Sequence, residues 1–133
     1  MSLRSTLEFL TGAFWAHLKE HPLPEPCMVT LNPRTPEVDI QVAAAEPVQH
    51  LADLLLWAYT LAQVTATWWH TQSGDLHITV YGRSSRGARF RVYGGVPYAR
   101  CAGLVPLTVG ESEGVSVEEL YTLRDLLGEG VAA

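Results

Sequence analysis

The sequence is sparing with several things, and each shortage excludes something. Its only two cysteines, Cys27 and Cys101, lie far apart and form no C-x-x-C pair. That points away from a disulfide framework, and the thiols are expected as small buried hydrophobes of a reducing compartment. No apolar run exceeds the six residues Leu54–Tyr59, against roughly 20 for a membrane-spanning helix. The N-terminus has no basic head followed by an apolar stretch, so no signal peptide is expected and cytoplasmic residence is the default. Neither a GxxxxGK[ST] loop nor a GxGxxG turn is present, and nothing resembles a nucleophile elbow. Lysine occurs once, at Lys19. Asp and Glu are missing altogether from Leu76 to Gly110, a window that holds Arg83, Arg86, Arg89, Arg91 and Arg100. The net charge of −5 is therefore concentrated outside that window.

What is present suits one folded unit. With 133 residues, 47% hydrophobic and 17% charged, residues 1–133 are read as a single domain with a self-sufficient core. Ser5 and Glu8 have the spacing of a capping box, and Leu7, Leu10, Phe14 and Leu18 recur at helical spacing, so a helix is expected from Ser5 or Thr6 to about Glu20. Pro22, Pro24 and Pro26 end it. Cys27–Leu31 and Glu37–Ala43 read as a hairpin around Asn32-Pro33-Arg34-Thr35-Pro36, with Val38, Ile40 and Val42 inward and Glu37, Asp39 and Gln41 outward. A second helix starts at Pro47 and runs to about Leu61. Leu51, Leu54, Leu55 and Ala58 form its inner stripe, and Leu56 with Trp57 widens it, marking these two as candidates for a subunit interface.

The stretch Ala62–Tyr98 reads as three antiparallel strands. Even positions (Val64, Ala66, Trp68, Ile78, Val80, Phe90, Val92) form an apolar face, and odd positions form the other. A three-residue turn at Ser85-Arg86-Gly87 would set Tyr81 opposite Arg91 and Arg83 opposite Arg89. A short strand is expected at Leu104–Val109, then a polar loop Gly110–Gly114. A third helix, capped by Ser116 and Glu119, is expected to end at Gly128 with the last five residues frayed. The order α-β-β-α-β-β-β-(β)-α describes a two-layer α+β domain: an antiparallel sheet of about five to six strands with helices on one face.

No residue is assigned a catalytic role, and no metal or cofactor is assigned. His17-Leu18-Lys19-Glu20-His21 matches H-x-x-E-H, so a small metal-dependent hydrolase at His17, Glu20 and His21 is a remote alternative; the plainer reading is two partly exposed histidines at a helix end. Ser73, Asp75 and His77 make up a plausible turn without further chemistry. The surface that asks for a reason is the odd face, where Trp69, Tyr81 and Tyr93 mix with Arg83, Arg89 and Arg91. These six are the candidate binding residues. Basic side chains among aromatics suit either a protein partner or single-stranded nucleic acid. If Glu37 and Asp39 neighbour the arginines, the charges simply pair within the sheet.

The segments VTLNPRTPEVDIQVA, AQVTATWWHT, HITVYGR and VYGGVPY resemble a group of small actinobacterial proteins of no assigned function, a resemblance that carries no activity. The order helix, hairpin, helix, meander, helix is similar to that of type III secretion chaperones. This likeness implies a homodimer that binds an extended partner segment without catalysis. A non-enzymatic, homodimeric interaction domain is accordingly the leading expectation, with single-stranded nucleic-acid binding through residues 69–93 as the alternative.

Overall fold

The computed structural model describes residues 2–132. Three helices cover one face of a six-stranded sheet of order β1-β2-β5-β4-β3-β6. The elements are α1 (Leu3–Glu20), β1 (Pro26–Asn32), β2 (Glu37–Val42), α2 (Pro47–Tyr59), β3 (Ala62–His70), β4 (Asp75–Arg83), β5 (Arg89–Pro97), β6 (Ser112–Val115) and α3 (Val117–Ala132). The fold is α+β, as expected, but the sheet is mixed. β2 and β5 run parallel, and every other neighbouring pair is antiparallel.

The parity of the meander holds. Ala66, Trp68, Ile78, Val80, Phe90 and Val92 are buried in one core with Val38 and Ile40 of β2, Leu51, Leu54 and Trp57 of α2, and Leu120 of α3. Gly87, at φ +83, supplies the left-handed residue that closes the β4–β5 turn, and Arg83 stands opposite Arg89. At the first hairpin, Asn32 Oδ1 accepts from the backbone N–H groups of Arg34 and Thr35 at 3.1 and 3.2 Å. The Ser116–Glu119 capping box also forms, with Glu119 N donating to Ser116 Oγ at 3.1 Å.

Several expectations are corrected. Helix α1 starts at Leu3, because Ser2 rather than Ser5 caps it, and Glu8 pairs instead with Arg4 at 3.1 Å. Of the expected stripe, Leu10 is buried and Phe14 and Leu18 pack against the core, but Leu7 is exposed; Thr6, Ala13 and His17 complete the inward side. Leu104–Val109 is not a strand. Pro106 denies the segment a ladder donor, and residues 112–115, of which Ser112–Gly114 read as loop, take the free edge of β3. Val105 and Leu107 still reach the core. Helix α3 passes through Gly128 to Ala132, since glycine lowers helix propensity without forbidding the conformation. Cys27 is exposed, contrary to expectation, while Cys101 is buried; both are free thiols. No described helix is long and apolar enough to cross a membrane.

Candidate functional site on the open face of the sheet

The odd-numbered residues lie on the face that the helices leave open, and register sorts them into rows. Glu37, Arg89 and Arg83 form the first row across β2, β5 and β4. Asp39, Arg91, Tyr81 and Thr65 form the second. Met28, Gln41, Tyr93, Thr79 and Thr67 form the third, and Gly95, His77 and Trp69 the fourth. The structure thus brings the six candidate binding residues onto one surface. Trp69 is 44% exposed.

The parallel pairing of β2 with β5 decides the electrostatics. Arg89 Nε lies 3.0 Å from Glu37 Oε2, and an Arg91 Nη1 nitrogen lies 3.8 Å from Asp39 Oδ2. Each guanidinium also stacks on a tyrosine: Arg89 on Tyr81 at 4.6 Å from the ring centroid, Arg91 on Tyr93 at 4.4 Å. Arg83 turns to its own loop and donates to Gly87 O at 3.1 Å. The acidic residues expected on a wet surface are in fact largely covered, Glu37 being only 8% exposed. Burial pushes the Glu37 carboxyl up to about 7. A hydrogen bond to Asp39 and that group's charge add to the rise, and Arg89 and Arg91 only partly oppose it. Near neutrality Glu37 is therefore partly protonated.

An aromatic run continues the face. The ring centroids of Trp69 and His77 are 5.9 Å apart and those of His77 and Tyr93 are 5.7 Å apart. Burial, reinforced by Arg91, holds His77 below the usual histidine range, so it is neutral at pH 7. Beyond this row a recess of about 480 Å³ opens between Gln41, His50, Ser73, Asp75, His77 and Tyr93. His50 Nδ1 donates to Ala43 O at 2.9 Å, and its Nε2 accepts from Gly95 N at 3.0 Å. Both ring nitrogens are thereby committed to bracing the backbone. Ser73 Oγ is bonded to Thr71 and Asp75 within the turn, and among the described residues no histidine contacts it by a hydrogen bond. No activated nucleophile results.

His50 escaped the reading of the sequence, although a signal existed. Paired glycines inside a strand mark a close approach, and a Cβ at Gly94 would sit 2.3 Å from His50 Nε2. Trp57 leaves the list of interface candidates: it is fully buried and donates through Nε1 to Pro24 O at 3.3 Å. Leu56 is 49% exposed, on the helical side of the molecule. His70 is buried, stacks on Tyr98 with centroids 3.6 Å apart and bonds Leu107 O at 2.9 Å. His17, Glu20 and His21 do converge, but His17 is buried rather than partly exposed.

Comparison with family models, with curated proteins and with solved structures finds no match.

Proposed function

We propose that the protein is a non-enzymatic interaction domain whose open sheet face seats a second copy of the same chain. The observation that carries this reading is the pairing of Arg89 with Glu37 and Arg91 with Asp39 within the face itself. A surface on which Arg89 and Arg91 already have partners can be covered by protein while leaving less charge unpaired. Its remaining contacts come from Trp69, Tyr81, Tyr93 and the arginine stems, the residue types that dominate binding energy at interfaces.

Size agrees. Strands β3, β4 and β5 are each 9 residues long. At roughly 3.3 Å per residue and about 4.8 Å between strands, the four-strand patch measures about 30 by 20 Å. That is on the order of one side of a standard interface, about 800 Å².

Single-stranded nucleic acid suits the same face less well. It needs uncompensated cations along a backbone track, and Arg89 and Arg91 already have internal counter-charges. Light scattering on a size-exclusion column distinguishes the readings. The proposal expects a dimer at tens of micromolar that Trp69→Glu converts to monomer. A dimer broken by Leu56→Glu and not by Trp69→Glu moves the interface to α2. Salt-dependent binding of oligonucleotides, weakened by Arg89→Ala with Arg91→Ala, favours nucleic acid.

A further inference from the structure

The C-terminal turn of α1 brings together three groups that the open face does not use. Glu20, at i+3 from His17, shares its side of the helix, and His21 is the extended C-cap residue, whose N–H still bonds His17 O at 3.1 Å. Their ligand-type atoms all lie within 4.8 Å of one another. His17 is 1% exposed, with its ring against Phe90 and Trp57 at centroid distances of 5.0 and 6.0 Å. The His21 ring is 4.7 Å away on the other side.

Counting hydrogens fixes the His17 tautomer. Thr60 Oγ1 donates its one hydrogen to Trp57 O at 2.7 Å. Toward His17 Nε2, at 2.8 Å, it can then only accept, so Nε2 carries the ring proton. Nδ1 is left as a bare lone pair, buried and without a hydrogen-bond partner. A buried acceptor in that state is destabilising unless something satisfies it. A cation shared with Glu20 and His21 would do so. The Glu20 carboxylate is itself oriented, accepting from Ser85 Oγ at 2.9 and 3.1 Å.

We propose that His17, Glu20 and His21 bind one divalent transition-metal ion of the zinc type, through His17 Nδ1, a Glu20 carboxylate oxygen and a His21 ring nitrogen. Two histidines and a carboxylate form a tetrahedral donor set when solvent fills the fourth position. Thr60 and Ser85 provide the outer hydrogen bonds that orient such ligands. Bonds of about 2.1 Å place tetrahedral ligand atoms about 3.4 Å apart, so the cluster closes by a small inward movement. The part-exposed His21 and Glu20 side chains, at 33% and 44%, are free to make it. With Glu20 in the coordination sphere, no carboxylate of the cluster is left as a general base. The ion would brace the end of α1 against the β4–β5 turn through Ser85 and against the end of α2 through Thr60, rather than hydrolyse a substrate.

The test uses the full-length, tag-free chain, stripped with a chelator and titrated with Co(II) and with Zn(II). One ion per chain is expected, with the visible band of tetrahedral cobalt on nitrogen and oxygen ligands and a rise in melting temperature with zinc. His21→Ala and Glu20→Gln change part-exposed side chains and should keep the native far-UV spectrum while each weakens binding by roughly tenfold or more. These two variants carry the decision, because His17→Ala also opens a cavity in the core. No binding at about 0.1 mM free metal, or binding unchanged in both variants, overturns the proposal.

Discussion

Glu37 on β2 and Arg89 on β5 stand directly opposite each other across the one parallel pairing in the sheet, with Arg89 Nε 3.0 Å from Glu37 Oε2. The carboxylate is covered and the guanidinium half-exposed, so the pair joins the rim of the open face to its interior. Because Asp39 lies two residues along the same strand, the arginine does not hold Glu37 ionised at all pH values. Burial and the neighbouring carboxylate together raise its midpoint to about 7.

A pH dependence of stability follows, and its sign is fixed. Glu37 has an ordinary value of 4.5, so between 4.5 and about 7 the folded chain holds a proton that the unfolded chain has released. Its contribution to stability is complete below that window and is lost as pH rises through it. Glu37→Gln keeps a neutral group beside Asp39 and should abolish this loss. The variant is expected to gain on the order of 1–3 kcal/mol relative to wild type between pH 4.5 and pH 8, as read by urea unfolding at both values. A pH-independent difference would show that Glu37 is ionised throughout.

Gly94→Ala should destabilise the fold. The added methyl would lie 2.3 Å from His50 Nε2, and forcing that ring aside also frees the N–H of Gly95. The expected cost is about 2–3 kcal/mol. In the His50→Ala background the same change should cost much less, and a double-mutant cycle measures that coupling. Additive effects would contradict the close approach.

The tryptophans should separate cleanly. Trp57 is fully buried, and Trp57→Ala is expected to cost about 3–5 kcal/mol of stability. Trp69→Ala removes a half-exposed ring and should cost less than about 1 kcal/mol while loosening self-association. Equilibrium unfolding together with sedimentation reads both quantities.

Thiol reactivity should be equally asymmetric. Cys27 is exposed, whereas Cys101 is buried and its thiol is pushed up to about 11 by that burial. A thiol-specific reagent at pH 8 should label one cysteine per native chain, with the second reacting only after denaturation. Two rapidly reacting thiols would contradict the packing of Cys101.

The legible parts of the sequence were those in which a single residue type dictates local geometry. Gly87 set the β4–β5 turn, and through it the register that opposes Tyr81 to Arg91. Alternation along β2 and the meander gave the two faces. The pairing of β2 with β5 had no local signal, because it depends on a long-range crossover that leaves no mark on either strand's pattern. The compensation of Arg89 and Arg91 could therefore be posed as a question but not answered. Ser5 has the look of the α1 cap because Glu8 completes its motif, yet Ser2 performs the role. Ser112–Gly114 reads as loop because SEG has little strand character of its own, and the open edge of β3 orders it.

In the proposed assembly the open face, on which Arg89 and Arg91 are paired internally, seats a second copy of the chain. Light scattering on wild type and Trp69→Glu at tens of micromolar tests this most directly. A dimeric mass is expected for the first and a monomeric mass with an unchanged far-UV spectrum for the second. A monomeric wild type, or a Trp69→Glu dimer as tight as wild type, would contradict it.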